Sequence, residues 1–333
     1  MSSIRFSIVD VFSTTAFKGN PLAVVDDMSS SLTDTQMKLI ARQFNLSETT
    51  FVSLPSVPKA KFRLRSFLPN GEEVFGQGHN SLGAWWWLAH QGFLNDTEEG
   101  DTPQTYYQQM GQEVLPVEVS RSKSGEILIT LIQGAPQFLA KHGDKDALAK
   151  SLGISASEIG FEYNGKFLDQ TQVVTTSPAR HLLVPVSDED VLSRVSFADA
   201  ERITRELAST ESFDSGVYIY TPTTKNIPSI PSVPKFQARF FSPGMSGEDP
   251  ATGTASGPLA ANLYANGFLD VSPGQSAKVA VLQGLKVGRE CLMELNIENA
   301  GGSGNGPFQI SISGGGTQVV SGSLVAPALE TVF

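Results

Sequence analysis

The chain has 333 residues, a formal net charge of -10 from 24 Lys and Arg against 34 Asp and Glu, and a single cysteine, Cys291. The acidic balance excludes the basic surface that a nucleic-acid partner needs, and one cysteine excludes an intrachain disulfide and a multi-cysteine metal site. A composition of 40% hydrophobic and 17% charged residues is globular, and a prior of roughly 150 residues per domain predicts two domains.

No stretch of the sequence has the pattern of a targeting or membrane segment. The longest apolar run, Gly83–Ala89, is far shorter than the roughly 20 residues that a spanning helix needs. Residues 1–10 contain no apolar run of the kind found in signal peptides. We therefore expect a cytoplasmic protein with neither a membrane nor a nucleic-acid partner.

Taken in chain order, hydrophobic periodicity and turn formers predict many strands and few helices. The first half is predicted to contain the strands Ile4–Phe12, Leu22–Asp26, Thr50–Leu54, Lys61–Phe67 and Glu126–Ile132, and the helix Leu32–Phe44. The second half is predicted to contain the helices Asp144–Leu152 and Phe197–Ala208 and the strands Val173–Thr175, Leu182–Val186, Val217–Tyr220, Phe236–Phe241, Gln309–Ser313 and Val319–Val325. The Gly-rich segments Ala300–Gly306 and Gly314–Gly316 are predicted to be exposed loops.

The chain contains one long internal repeat. Six residues recur 175 positions later: Gly78, Ser81, Leu88, Gly92, Phe93 and Leu94 return as Gly253, Ser256, Leu263, Gly267, Phe268 and Leu269. Weaker matches join Arg65–Pro69 to Arg239–Pro243, Phe51–Pro55 to Tyr218–Pro222 at an offset of 167, and Gln108 to Gln283. Because this period is far longer than a solenoid repeat, we predict two similar domains, 1–128 and 129–333, in which the last strand can return to the first half.

Each copy of the repeat predicts a helix that follows a strand and a short loop. The helices are expected to begin after Gly78 and Gly253, where free backbone N–H groups can bind an anion such as a carboxylate. If a pseudo-twofold axis relates the copies, the two helix starts point at one cleft. The alternative is that both are simply buried central helices, and we expect Trp85–Trp87 to be core residues rather than a ligand cage.

Differences between the two copies identify candidates for chemistry. At the offset of 167, Glu48 corresponds to Ser215. At the offset of 175, His79 corresponds to Thr254 and Asp249 corresponds to Val74. Two carboxylates and an imidazole are sufficient for general acid–base catalysis. Each candidate also has a purely structural explanation. Glu48 can belong to an ordinary turn, His79 can cap its own helix, and Asp249 can cap the second helix.

The remaining histidines, His90, His142 and His181, have no neighbours at metal-ligand spacing and are expected to be packed or solvated. The sequence also lacks a P-loop, a Gly-x-Gly-x-x-Gly fingerprint and a Gly-x-Ser-x-Gly elbow. We therefore expect no metal site and no cofactor.

Five segments of the chain resemble the phenazine biosynthesis protein family related to PhzF. They are Asp10–Phe12 with Phe17–Val25, Leu46–Val52, Gly78–His79 with Leu82–Gly83, Glu248–Ala255, and Gln283–Gly284 with Gly288–Arg289. The resemblance implies an α+β fold of the diaminopimelate epimerase type. In that fold two similar domains each form a curled, mostly antiparallel sheet around a central helix, the active site lies between them, and the protein is often a homodimer.

The resemblance also implies roles for particular residues. Glu48 would be the proton shuttle, His79 and Asp249 would support it, and the backbone at Gly78, Gly253 and Thr254 would receive a substrate carboxylate. The sequence departs from the family pattern at three positions. Gln77 stands where the family usually has a small residue or Cys, and Asn80 stands where Pro or Ala is usual. Thr254 stands where Ser is common. We expect Gln77 and Asn80 to add amide groups to the pocket wall and to alter substrate choice.

Three functions are consistent with these residues. The first is a cofactor-independent isomerase in which Glu48 moves a proton within a small anionic substrate, a cyclic or amino-acid-derived carboxylate. The second is a racemase or epimerase, in which Asp249 or His79 must be the second base because the lone Cys291 excludes a two-thiol mechanism. The third is a non-catalytic ligand-binding protein of the same fold.

Overall fold

A computed structural model of the chain describes residues 3–94, 100–212, 215–228, 230–243, 247–299, 308–328 and residue 330. The chain divides into two compact units. Unit 1 comprises Met1–Ile132 with Ser313–Phe333, and unit 2 comprises Gln133–Ile312. The boundary that we expected after residue 128 therefore lies after residue 132, and the end of the chain belongs with unit 1.

The helices and strands follow one another with short connections. Up to residue 132 they are β1 Ser3–Val11, β2 Asn20–Asp26, α1 Asp34–Phe44, β3 Thr49–Ser53, β4 Phe62–Phe67, β5 Glu73–Val74, α2 His79–His90, β6 Gly100–Met110, β7 Glu113–Arg121 and β8 Ile127–Ile132. The later elements are β9 Gln137–Lys141, α3 Lys145–Ser151, β10 Phe161–Tyr163, β11 Lys166–Leu168, β12 Gln172–Thr175, β13 His181–Pro185, α4 Glu189–Arg194, α5 Ala200–Ala208, β14 Val217–Pro222, β15 Lys235–Phe241, β16 Glu248–Asp249, α6 Gly253–Ala265, β17 Ser276–Gln283, β18 Cys291–Glu298, β19 Gln309–Gly314 and β20 Gly316–Val325.

Unit 1 is a mostly antiparallel sheet around a buried helix. Its strands are hydrogen-bonded in the order β20-β1-β2-β3-β4-β6-β7-β8, and the pairs β2–β3 and β4–β6 are parallel. Helix α2 contacts β1, β2, β3, β4, β8 and β20, and 11 of its 12 residues are buried. Trp85, Trp86 and Trp87 are buried in this helix, which confirms that they are core residues.

Unit 2 repeats this arrangement. Its strands are hydrogen-bonded in the order β9-β12-β13-β14-β15-β17-β18, with β13–β14 and β15–β17 parallel. Helix α6 contacts β12, β13 and β18 and is buried along most of its length. The succession β2, β3, β4, β5, α2, β6, β7 thus recurs as β13, β14, β15, β16, α6, β17, β18. The predicted α+β duplication is confirmed.

An arginine–glutamate pair occurs at the same place in both units. In unit 1 the guanidinium of Arg65 donates from Nε and Nη2 to the two carboxylate oxygens of Glu73, at 2.8 and 2.6 Å. In unit 2 Arg239 binds Glu248 in the same way, with Nη2 at 2.7 Å from Oε2. The pair in unit 1 joins β4 to β5, and the pair in unit 2 joins β15 to β16, so each pair reaches the short strand before the central helix. The matching geometry makes Arg65 equivalent to Arg239.

The strand register corrects one predicted correspondence. Phe51 lies opposite Arg65 in the β3–β4 pair, whereas Ile219 lies opposite Arg239 in the β14–β15 pair. Since the two arginines are equivalent, Phe51 corresponds to Ile219 and not to Tyr218. The offset of this strand is 168 rather than the predicted 167. The similarity of the aromatic residues Phe51 and Tyr218 suggested the wrong alignment. The error matters because a shift of one residue places every side chain of a strand on the opposite face.

The predicted elements agree with the structure at most positions, with different ends. Helix α1 begins at Asp34 because Thr33 and Gln36 form a capping box that fixes its first turn. The prediction of an exposed loop at Gly314–Gly316 is wrong: β19 ends at Gly314, β20 begins at Gly316, and both glycines are buried. The loop predicted at Ala300–Gly306 lies outside the described residues. No helix in the described part of the chain is long and apolar enough to cross a membrane.

Candidate active site

Glu48 lies in the short connection between α1 and β3. Helix α1 ends at Phe44 and is capped by Asn45, whose left-handed backbone (φ 51°) turns the chain back toward the sheet. All five residues of the following strand β3 are buried, and this burial fixes the connection that precedes it. The Glu48 side chain is 20% exposed, and its Oε2 lies 3.7 Å from Nδ1 of His79. The structure thus brings together two of the predicted catalytic residues.

His79 is the first residue of α2 and is buried. Its Nε2 lies 3.4 Å from the Ser47 hydroxyl, which also donates a hydrogen bond to Oδ1 of Asn20 at 3.5 Å. Burial lowers the pKa of His79 to about 4, so the ring is neutral at pH 7 and its contact with Glu48 is not an ion pair. The residue that caps α2 is Gly78, without a side-chain cap bond. The alternative role of His79 as a helix cap is therefore wrong.

The predicted binding residues around the start of α2 are engaged within unit 1. Asn80 is buried, and its Oδ1 accepts the backbone N–H of Gly78 at 2.9 Å. Its Nδ2 donates to the Ser66 hydroxyl and to the Gly76 carbonyl at 3.2 and 3.0 Å. In this structure the Asn80 amide holds the loop 76–78, and a contact of Asn80 with the substrate stays a prediction. The Gly78 N–H is likewise used by Asn80.

A chain of amide side chains fixes Gln77. Its Nε2 donates to the Ile132 carbonyl at 3.2 Å, and its Oε1 accepts from Nε2 of Gln108 at 2.9 Å. Buried Gln108 in turn accepts from the Ser81 hydroxyl and from Nε1 of Trp85, at 2.7 and 2.9 Å. In the sequence Gln108 contributed only a repeat match. The structure shows that it ties the central helix to the residue before Gly78.

In unit 2, Asp249 ends the short strand β16. Its Oδ2 accepts a hydrogen bond from the Thr252 hydroxyl at 2.6 Å. Gln283 binds the same turn, because its Nε2 donates to the Asp249 carbonyl at 2.7 Å and its Oε1 accepts the Thr252 N–H at 3.2 Å. Gln108 and Gln283 therefore serve matching positions in the two units. The cap of α6 is Thr252, so the alternative role of Asp249 as the helix cap is wrong.

The start of α6 carries the other predicted binding residues, Gly253 and Thr254. The Gly253 carbonyl accepts from Nε2 of Gln133 at 2.9 Å. Thr254 is half-buried, and its hydroxyl lies 3.0 Å from Nε2 of His181. His181 was expected to be packed or solvated. It is buried, and its position at the first residue of β13 brings it to the helix start, which no sequence motif indicates.

The corrected register shows that Glu48 has no acidic counterpart in unit 2. With the offset of 168, Glu48 corresponds to Gly216 and not to Ser215. A Cβ atom at Gly216 would lie 2.3 Å from Cζ of Phe240 and 2.5 Å from the Phe241 carbonyl oxygen, distances that exclude any side chain. Only unit 1 therefore carries a carboxylate at this position.

Metal-ligating residues are not grouped in the described parts of the two units. No three His, Cys, Asp or Glu side chains among residues 3–94, 100–212, 215–228, 230–243, 247–299, 308–328 and 330 lie close enough to hold one ion. Unit 1 offers a carboxylate beside a neutral imidazole. Unit 2, by itself, offers a helix start with backbone amides and the Thr254 hydroxyl.

The chain is similar to known proteins along nearly its whole length. The family of phenazine biosynthesis-like proteins (PhzC-PhzF) matches residues 9–322. A trans-2,3-dihydro-3-hydroxyanthranilate isomerase of Pseudomonas fluorescens is 30% identical over 326 residues, 96% of this chain and 99% of that protein. A Mesorhizobium japonicum protein named as an uncharacterized isomerase is 30% identical over 305 residues, 91% of this chain and 93% of its own.

Similarity extends to a solved structure. The crystal structure of a PhzF-family phenazine biosynthesis protein from Bacillus anthracis matches this chain with a TM-score of 0.81 and 26% sequence identity. The match covers 98% of this chain and 100% of the Bacillus anthracis chain. The fold, its duplication and the relatives all lead to the same assignment. The chain belongs to the family of phenazine biosynthesis-like proteins and is an isomerase.

Proposed function

We propose that this isomerase moves a proton within a small carboxylate substrate and that Glu48 both removes and returns that proton. The observation that carries the proposal is the difference between the units at equivalent positions. Unit 1 places the half-buried Glu48 carboxylate 3.7 Å from a neutral histidine, and unit 2 has Gly216 there, with no room for a side chain. One carboxylate at one position suits a single shuttle better than a pair of opposed bases.

The proposed reaction needs only a proton transfer in each direction. The Glu48 carboxylate takes a proton from a saturated carbon next to the conjugated double bonds of the substrate, and the electron pair of that C–H bond moves into the conjugated system. Glu48, now a carboxylic acid, gives the proton to a carbon farther along the same system. A double bond has moved, and no atom has been gained or lost. Neutral His79 stays 3.7 Å from the carboxylate and places no positive charge beside it.

We propose that the substrate carboxylate binds at the start of α6 in unit 2. Backbone N–H groups in the first turn of a helix have no acceptor within the helix, and they favour an anion. Thr254, a half-buried residue with a hydroxyl group, lies in that turn. Asp249 shapes the turn through its hydrogen bond to Thr252.

The substrate class follows from the relatives that are named for their reaction. The Pseudomonas fluorescens relative acts, by its name, on trans-2,3-dihydro-3-hydroxyanthranilate, which is a cyclic amino-acid-like carboxylate. We propose a substrate of this class for the present chain. We further propose, following the family resemblance, that the reaction needs no cofactor and that the protein is a cytoplasmic homodimer.

The direct test is the Glu48→Gln variant, which keeps the shape of the side chain and removes its ability to take a proton. With trans-2,3-dihydro-3-hydroxyanthranilate as the test substrate, we expect turnover to fall about 100- to 10,000-fold. The exposed residue Glu72 supplies the control, since Glu72→Gln should keep both turnover and melting temperature. Turnover of Glu48→Gln within a few-fold of the parent protein would refute the assignment.

A further inference from the structure

His181 is held in a fixed orientation by its neighbours in unit 2. The backbone N–H of Gly216 donates to its Nδ1 at 3.3 Å, and the next residue, Leu182, donates its own N–H to the Gly216 carbonyl at 3.0 Å. The ring of Phe240 lies perpendicular to the imidazole, with ring centres 5.0 Å apart. The imidazole is therefore fixed by the backbone on one edge and by an aromatic ring on one side.

The contact with Gly216 determines which ring nitrogen of His181 carries the proton. A backbone amide can only donate, so Nδ1 must present its lone pair. Burial lowers the pKa of His181 to about 4, and the neutral ring at pH 7 has one N–H. That N–H is on Nε2. The hydrogen bond of 3.0 Å between Nε2 and Thr254 therefore runs from the histidine to the hydroxyl oxygen.

Once Thr254 accepts from His181, its own hydroxyl proton must point elsewhere. Threonine in a helix commonly donates to a carbonyl three or four residues earlier. Thr254 is the second residue of α6, and residues 250 and 251 precede the helix. The neighbours Gly253 and Ala255 are buried, whereas Thr254 is half-exposed. Among the described residues, the hydrogen bonds give the Thr254 hydroxyl no partner besides His181, so its proton can point to the exposed side of the helix start.

We propose that His181 is a positioning residue that makes Thr254 a hydrogen-bond donor to the carboxylate of the substrate. The inference rests on the proposed function, because the carboxylate is the group that the start of α6 is proposed to bind. His181 does not contact the substrate. If Nε2 of His181 were instead an acceptor, the Thr254 hydroxyl would donate to it and would present only lone pairs to an anion. The N–H on Nε2 prevents that arrangement.

The first test needs no ligand. In protein labelled with ¹⁵N-histidine, long-range ¹H–¹⁵N spectra at pH 7 distinguish an imidazole protonated on Nε2 from one protonated on Nδ1. The His181→Gln variant identifies its signals among those of the four histidines. We expect protonation on Nε2. Protonation of His181 on Nδ1 would overturn the proposal, because the histidine would then accept from Thr254.

The second test uses two substitutions that separate the contacts of His181. Gln places an amide N–H near the position of Nε2 and can keep the donor to Thr254. Asn reaches only as far as Nδ1 and keeps the acceptor for Gly216. In a Glu48→Gln background, calorimetry with trans-2,3-dihydro-3-hydroxyanthranilate should show about tenfold weaker binding for His181→Asn and near-parent binding for His181→Gln.

Thr254→Val removes the hydroxyl and should weaken binding by the same factor. If His181 acts through Thr254, combining His181→Asn with Thr254→Val should cost no more than Thr254→Val alone. Additive losses, or equal affinities of the Asn and Gln variants, would overturn the proposal.

Failure of the proposed function gives a different result. If Glu48→Gln retains turnover, the shuttle is wrong while the binding series still reports on His181. If the parent Glu48→Gln protein does not bind the probe, the substrate class is wrong, and the protonation of His181 still decides this inference.

Discussion

Glu48 and Gly216 occupy equivalent positions immediately before equivalent strands, and only the first can exchange a proton. The ring of Phe240 fills the space that a side chain at Gly216 would need. The corresponding residue of unit 1, Ser66, is small and hydrogen-bonds to Thr50 and Asn80. The two units therefore differ at two positions: unit 1 has Glu48 and Ser66 where unit 2 has Gly216 and Phe240.

Steric exclusion at Gly216 predicts a loss of stability when a methyl group is added. In Gly216→Ala the new Cβ would lie 2.3 Å from the Phe240 ring, and the ring and backbone must shift. We expect the free energy of unfolding to fall by about 1–3 kcal/mol in urea titrations. Gly143→Ala is the control, because a Cβ there meets no atom within 4 Å. Equal stability of the two variants would show that the Gly216 position is open.

The single carboxylate predicts how deuterium enters the product. In heavy water, turnover of trans-2,3-dihydro-3-hydroxyanthranilate should move a double bond, with any solvent deuterium at the carbon that receives the proton. No inverted starting compound should accumulate, because inversion at one carbon needs a second base. Product analysis by NMR and mass spectrometry measures both quantities. Deuterium at an inverted starting carbon would instead indicate an epimerase, with Asp249 or His79 as the second base.

The two equivalent arginines predict unequal losses of stability. Arg239 also donates from Nη1 to the carbonyls of Leu192 and Val195, at 2.9 and 2.8 Å, and its partner Glu248 is buried with a side chain only 6% exposed. Arg239→Met leaves that carboxylate and those carbonyls without their donor. We expect a loss of about 3–5 kcal/mol in the free energy of unfolding.

Arg65→Met is the matched variant in unit 1. Arg65 also pairs with Asp34, whose side chain is 71% exposed and can be solvated when the arginine is removed. We expect Arg65→Met to lose less than Arg239→Met by at least about 1 kcal/mol. Urea unfolding of both variants measures the difference, and an equal or reversed order would contradict this explanation.

The sequence was informative where the residues of a motif are close together along the chain. The glycine-bounded repeat predicted both central helices, and the run Trp85–Trp87 was correctly assigned to the core. Glu48 and His79 were singled out because the two copies of the repeat differ at these positions. Their proximity in unit 1 depends on the pairing of β2 with β3 and on the packing of α2, which place residues 31 positions apart in contact.

The remaining features depend on strand register and on contacts between distant segments. The correspondence of Glu48 with Gly216 required the pairing of β14 with β15, because similar aromatic residues suggested an alignment shifted by one residue. The contact of His181 with Thr254 joins residues 73 positions apart and has no local signal. For Asn80 the sequence shows a polar side chain and gives no sign of the three partners within unit 1 that its amide binds.

The two buried histidines predict a loss of stability in mild acid. Burial lowers the pKa of His79 and of His181 from 6.5 to about 4, so both stay neutral in the folded protein while the unfolded chain takes up protons below pH 6.5. Because the unfolded state then binds more protons, stability is retained above pH 6.5 and falls as the pH decreases toward 4. Each histidine should lower the free energy of unfolding by about 2 kcal/mol between pH 7 and pH 5, or by about 4 kcal/mol together.

Urea unfolding at pH 7 and at pH 5 measures this difference in the free energy of unfolding. The difference should shrink by that amount in the double variant His79→Gln with His181→Gln. It should stay unchanged in the exposed control His90→Gln. An unchanged pH dependence in the double variant would show that neither ring is held neutral by burial.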